Sequence, residues 1–371
     1  MKLIKKVIKK ILYFLNEIKF RRKIYIENNN LNIISAVIDK NIKIDKILPI
    51  ELNKYNNEYK WVGAVNYCNN MYCITNSIDE VLKINLENNE MKYLKINVKN
   101  DKSFKWTGGC IYKNKIYGFP RTSNKLLCID PSNDEVSTIN INLNYKEEHH
   151  YGGVCTQEGV IYQPPRGNNT ILVINLNNFS THEIKLAPKF LKYRYLSGIE
   201  HKNGLIYFFP ERNEKVLVLN PKNEKTYLIG NKIDCMVFDA AIGEDDNIYG
   251  FSGYEKGVLK IDTKNQNAEM ICKEIGIPGC YGSKLAINGK IYGLPGNGKF
   301  FWEFDINKQK AEKIFEVEED IKAKCAGGII AKDGSIYTVP ALGNKLYKIK
   351  FDNDNELTNE QLNSIYFSDN Y

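Results

Sequence analysis

Ile-Tyr pairs, or Met-Tyr in one case, return down the chain at nearly constant spacing. Tyr72, Tyr117, Tyr162, Tyr207, Tyr249, Tyr292 and Tyr337 lie 45, 45, 45, 42, 43 and 45 residues apart. Thirteen residues after each tyrosine a polar residue closes an apolar run, at Asn85, Asp130, Asn175, Asn220, Asp262, Asp305 and Lys350. A period held this closely means that each copy is one supersecondary unit, which buries its apolar faces only by packing on the next copy. Residues 105–131 show the unit most clearly, as KWTGGCIYKNKIYGFPRTSNKLLCIDP.

The second copy divides into four short apolar stretches, WTGGCIY, KIYGFP, KLLCID and EVSTINI. Their joints fall at Lys113-Asn114, at residues 121–124 and at residues 131–134. Ile, Val, Tyr and Phe fill the stretches, and Asn, Gly, Pro, Asp and Ser fill the joints, which is the pattern of strands and turns. Seven copies of a four-stranded antiparallel unit predict an all-β chain folded as a seven-bladed β-propeller. No segment between residues 60 and 350 has the period of an amphipathic helix, which disfavours a helical solenoid.

The units begin near Lys60, Lys105, His149, Arg194, Val237, Cys280 and Lys324. Gly108-Gly109, Gly152-Gly153 and Gly327-Gly328 recur on the first strand, with Gly63-Ala64 and Ala240-Ala241 as small substitutes, as crowding of inner strands around a channel requires. The Asp or Asn closing each third strand is expected to turn the chain into the fourth by an Asx hydrogen bond. The seventh copy lacks a good fourth strand, whereas residues 42–50, IKIDKILPI, read as one. This segment is expected to complete the last blade, and residues 361–367 are the rival for that place. The chain thus divides into residues 1–30, an arm and joint, and residues 31–371, the propeller.

Charge is concentrated in the arm. Residues 1–23 carry nine Lys and Arg against Glu17 alone, so the net +8 of the whole chain resides there and the remainder is neutral. A neutral main domain removes the basis for nucleic-acid binding that a pI of 8.8 would otherwise suggest. Ile4, Val7, Ile8, Ile11, Phe14, Leu15 and Ile18 form one stripe among lysines, the pattern of a basic amphipathic helix. It lacks both the apolar core of a signal peptide and the length of a spanning segment. Two readings stand: attachment to an anionic membrane surface, or docking on protein. Nine cysteines without paired metal-ligand spacing read as buried thiols in a reducing cytoplasm, with no cofactor implied.

In propellers the loop entering the innermost strand and the loop between second and third strands share one face around the channel mouth. Here the strand entrances are Lys60-Trp61, Lys105-Trp106, His149-His150, Arg194-Tyr195, Val237-Phe238, Cys280-Tyr281 and Lys324-Cys325. The second-to-third loops add Arg121, Arg166 and Arg212. Residues that serve the fold recur in every copy, whereas residues that serve a ligand break the repeat. The ligand contacts expected on this ground are Lys105, Trp106, His149, His150, Arg166, Arg194, Tyr195 and Arg212, with Glu211 beside them. Guanidinium forks suit carboxylate or phosphate, and ring faces suit sugars or cations. The same aromatics equally fit blade-to-blade packing, and the same bases a solvated rim.

The pattern Lys-Trp-x-Gly-Gly, then Ile-Tyr-Gly-x-Pro, then Leu-x-Ile-Asp-Pro resembles the repeats of kelch-like, quinoprotein-like and streptogramin-lyase-like seven-bladed propellers. The resemblance covers about residues 42–350 and implies the fold, while activities in these families differ widely. Streptogramin lyases use a histidine base and a magnesium ion held by acidic residues, but His149, His150, His182 and His201 form no such pattern here. Copper-radical sugar oxidases need more histidines at the blade entrances than this chain has. The expectation is a ligand- or partner-binding propeller, cytoplasmic and peripheral to the inner membrane face, for an anionic or glycan-containing ligand or a protein. The rival is a lyase or hydrolase acting on such a substrate at the mouth.

Overall fold

The computed structural model describes residues 38–358, apart from 53, 55–58, 97–103, 142, 144–149, 191–192, 214, 232 and 354. The basic arm, His149 and the rival closing segment 361–367 therefore lie outside the described residues. Seven antiparallel sheets, each with a four-stranded path, follow one another along the chain. Blade 2 shows the plan, with Trp106–Tyr112 innermost, then Lys115–Pro120, Lys125–Asp130 and Glu135–Asn140 at the rim.

The core is not at the centre of a blade but between blades. Seven apolar clusters each draw on two neighbouring blades. One joins Tyr72, Ile74 and Val81 of blade 1 to Trp106, Ile116 and Leu127 of blade 2. Inner strands are covered on both faces and so read as continuous apolar runs, as in the buried CAGGII of blade 7. Rim strands alternate instead: Met91–Lys95 buries Leu94 and exposes Lys92 and Lys95.

The repeated tyrosines are buried and several reach across a seam. Tyr207 of blade 4 accepts a hydrogen bond from Gln266 of blade 5 (2.7 Å), and Tyr337 of blade 7 donates to Leu86 O of blade 1 (3.2 Å). Six of the polar residues closing third strands make the expected Asx hydrogen bond, five to the residue two on, as with Asn85 Oδ1 accepting from Glu87 N (2.9 Å) and Asp130 Oδ1 from Ser132 N (3.0 Å), and Asp305 to Lys308 N, three on. The exception, Lys350, falls in the one blade that needs no such turn. There the fourth strand is Ile44–Glu51, which pairs antiparallel with Lys345–Phe351 from Ile44 opposite Phe351 to Glu51 opposite Lys345. The ring is closed by the N-terminal side of the chain.

Glycine at the mouth has a geometric cause. Gly63 and Gly108 have φ of +75° and +70°, and a Cβ on Gly63 would lie 2.7 Å from the Gly108 Cα. The inner strands of blades 1 and 2 approach too closely there for any side chain. Apart from two short 3-10 turns, at Pro188–Phe190 and Lys273–Ile275, no helix occurs among the described residues, and none is long and apolar enough to cross a membrane.

Candidate functional site at the channel mouth

Backbone hydrogen bonds at the mouth set six of the seven copies in one register among the described residues. The carbonyls of Lys60, Lys105, Arg194, Met236, Gly279 and Lys324 accept from Asn76, Arg121, Glu211, Gly253, Gly296 and Ala341, each four residues past a repeat tyrosine. The next residue in each copy, Trp61, Trp106, His150, Tyr195, Val237, Cys280 or Cys325, is buried in the blade. One residue further on, Val62, Tyr151, Leu196 and Ala326 meet with Met236, Ala341, Tyr59, Phe238 and Tyr254 in an eighth cluster drawn from five blades, a meeting only the axis permits.

This register separates the residues expected to contact a ligand. Trp106 is fully buried, and its indole N–H donates to Lys125 O (2.7 Å). Tyr195 is fully buried in the seam between blades 3 and 4. His150 is 2% exposed, with Nδ1 donating to Pro164 O (3.0 Å) and Nε2 accepting from Asn168 (3.3 Å), so its ring braces a turn. Lys105 is also 2% exposed, and its ammonium meets Asp79 in the second-to-third loop of blade 1. Lys60 and Lys324 do the same work on carbonyls of the neighbouring second-to-third loop: Lys60 donates to Gly343 O (2.9 Å) and Lys324 to Gly298 O (3.3 Å). Burial holds the Lys324 ammonium below the usual lysine range. These lysines latch neighbouring blades together and do not form the basic rim read from the sequence.

The arginines behave differently. Arg166, Arg194 and Arg212 line one cavity of about 510 Å³ with Glu211, Met236, Phe238 and Tyr254. Glu211 occupies the position held by Arg121 and Arg166 in the two preceding blades. Its carboxylate takes both Nε and Nη2 of Arg166, each at 2.8 Å, and Nε of Arg194 at 3.1 Å. The fork of Arg166 is thus engaged, while Arg194 stays half exposed. Arg212 lies over the Tyr254 ring at 5.0 Å and makes no ion pair with a described residue.

The second strand of blade 4, Ile206–Asn213, outruns its equivalents and pairs at its end with Cys235–Met236, Glu211 opposite Met236. The ladder is irregular between Glu211 and Asn213, and Arg212 has φ +55°. A left-handed non-glycine residue at an irregular rim ladder re-aims its side chain, here toward the cavity. Beside the lining residue Met236, Glu255 accepts from Met236 N (2.6 Å) and Ser252 Oγ (3.0 Å), and burial holds its carboxyl above the usual range.

Rings continue the wall toward the axis. Phe238 and Tyr281 have centroids 4.1 Å apart, and the hydroxyls of Tyr254 and Tyr281 share a hydrogen bond to which Asn297 adds another (2.9 Å). The guanidinium groups of Arg121 and Arg166 sit 4.7 and 5.0 Å from the Tyr151 centroid. Burial, and then the neighbouring Tyr151, pushes the Tyr59 phenol well up. The sequence reading did not name Tyr59, Tyr151, Tyr254 or Met236 as contacts. Counting two residues from each entrance would have found Tyr151, while Tyr254 lies five residues past its repeat tyrosine and Met236 just before its entrance.

No family model matches the chain, and no curated protein matches it. Among solved structures it is similar to a streptogramin B lyase, with a TM-score of 0.68 at 12% identity, covering 83% of this chain and 98% of that one. A catalytically inactive virginiamycin B lyase from Staphylococcus aureus with quinupristin gives 0.68 at 14%, covering 82% and 99%. The WD40 repeats of RRP9 give 0.61 at 11%, covering 84% and 99%. At these identities the likeness establishes the class, a seven-bladed propeller. Among the described residues no group of three or more His, Cys, Asp or Glu converges as a metal site would require.

Proposed function

We propose that this protein is a binding propeller whose ligand, an anion carried on a sugar or another ring, sits off-centre at the channel mouth over blades 3 to 5. The observation that carries this reading is the composition of the cavity wall. Three guanidinium groups gather against the Glu211 carboxylate in one lining, within a domain whose sequence charge is neutral as a whole. Phe238, Tyr254 and Met236 supply apolar surface beside them, the combination that small-ligand sites show. The volume suits a monosaccharide derivative or a somewhat larger ligand. A reducing cytoplasm accords with nine unpaired cysteines. Residues 1–23 would hold the domain at an anionic membrane, and a protein partner could present the anion equally well.

The test is a ligand screen by thermal shift on the full chain, with acidic sugars, sugar phosphates and neutral sugars. Anionic members should raise the melting temperature of the parent and leave the Arg194→Ala, Arg212→Ala double variant unmoved. A parent and variant that respond alike would place the ligand elsewhere. Shifts that require a divalent metal would favour an enzyme.

A further inference from the structure

One repeat position at the mouth changes its chemistry from copy to copy. Five residues past the repeat tyrosine, blades 7, 1, 2 and 3 have Leu342, Ser77, Thr122 and Gly167, while blades 4, 5 and 6 have Arg212, Tyr254 and Asn297. Those last three touch one another in a chain around the mouth. The Arg212 guanidinium lies over the Tyr254 ring, 5.0 Å from its centroid. The Tyr254 hydroxyl shares a hydrogen bond with the Tyr281 hydroxyl and accepts another from Asn297 Nδ2 (2.9 Å). Asn297 Oδ1 in turn accepts from Ala323 N (2.9 Å), at the entrance to blade 7. An amide that donates at one end and accepts at the other is fixed in its orientation. Arg212 and Tyr254 line the cavity, and Asn297 and Tyr281 are outside its lining.

Arg212 needs such support. The ladder passes over it, since Glu211 pairs with Met236 and Asn213 with Cys235, so the pleat that aims side chains in a regular strand is lost there. A long side chain with several rotors gives up conformational freedom when it engages a ligand, unless it is already held. A guanidinium lying over a ring is held by its face and keeps its N–H donors in the plane. Glu255 is a rival for the same guanidinium: burial raises its carboxyl and the Arg212 charge opposes that shift, but its oxygens are engaged by Met236 N and Ser252 Oγ. We infer that Asn297 is a positioning residue of the anion site, on the reading that the cavity is that site. Through the Tyr254 hydroxyl it holds the ring over which Arg212 lies, and so presents the edge of the guanidinium to the oxyanion of the ligand.

The experiment measures affinities of the full chain for glucose 6-phosphate and glucuronate by calorimetry at neutral pH. Arg212→Gln should weaken the tighter-binding probe about tenfold. Asn297→Ala should weaken it about three- to tenfold in the parent, and less than about twofold when Arg212→Gln is already present. Tyr281→Phe leaves the bond to Ala323 in place and should show the same dependence on Arg212 at smaller size, which keeps the test decisive should Asn297→Ala fail to fold. A variant that weakens binding equally with and without Arg212, as a general loosening of the mouth would, overturns the inference. So does an Asn297→Ala protein that binds like the parent, and in both cases the anion reading stands as long as Arg212→Gln loses affinity. If Arg212→Gln binds like the parent, or if neither probe binds at millimolar concentration, the inference and the anion reading fall together.

Discussion

Blades 7, 1 and 2 and blade 4 meet the same channel mouth with a basic side chain at the equivalent entrance position, and use it in opposite ways. Lys60, Lys105 and Lys324 are buried and spend their ammonium groups on the adjoining second-to-third loop. Arg194, at the same place in blade 4, is half exposed and pairs with Glu211 of its own blade, the carboxylate that also holds Arg166, at the edge of the cavity. The difference teaches that one acid, Glu211, set where the two preceding blades have arginine, converts a structural latch into a charged wall.

That contrast can be broken by mutation. The largest loss of stability is expected on the structural side: Trp106→Ala should cost about 3–5 kcal/mol in chemical denaturation, because a fully buried indole leaves a cavity in the blade 1–2 seam. Lys60→Ala should cost about 2–4 kcal/mol, since it removes a packed stem and leaves carbonyls of blade 7 unpaired. Equal tolerance of Lys60→Ala and Arg194→Ala would erase the distinction between latch and wall.

The two ends of one strand sharpen it further. Tyr195–Glu200 begins beside Arg194 and ends at Glu200, whose carboxyl is pushed up to about 7 by burial and then by Glu158. A carboxyl with a raised folded pKa holds its proton longer folded than unfolded. Stability from this group is therefore full below about pH 4.5 and falls as pH rises toward 7. Glu200→Gln should remove that slope and stabilise the protein at pH 8 by on the order of 2 kcal/mol, read as a higher urea midpoint. An unchanged pH profile would show that Glu200 titrates normally.

Smaller still is the effect expected for Arg194→Ala, under about 1 kcal/mol in stability, because a half-exposed ion pair contributes little. Removing residues 1–23 should leave the melting temperature unchanged while releasing the protein from anionic vesicles. A large drop in melting temperature would instead mean that the arm docks on the propeller.

The architecture was legible because its signals repeat: tyrosine spacing gave seven blades, the Asx residues marked the turns, and the missing Asx at Lys350 coincides with a strand supplied from residues 44–51. The site was legible in part. Arg166, Arg194 and Arg212 break the repeat and do line one cavity, whereas Lys105, Trp106, His150 and Tyr195 are buried. The cause is a period of two. Pairs such as Lys105-Trp106 and Val237-Phe238 were set side by side, yet Trp106 is the buried anchor and Phe238 lies one residue beyond it. In a strand one residue exchanges faces. Glu211 also needed three dimensions, since its partner Arg166 is 45 residues earlier in another blade.

Closure by the N-terminal strand has a consequence during synthesis. Residues 44–51 leave the ribosome almost 300 residues before the strand they pair with. At about 5–20 residues per second, that is a wait of roughly 15–60 s. Throughout it the segment is an unpaired edge in a crowded cell. Its own composition is suited to the interval: Asp45, Lys46 and Glu51 put charges along it, and Pro49 removes a backbone donor midway. The features that let it cap the finished ring also discourage it from pairing with a neighbouring nascent chain.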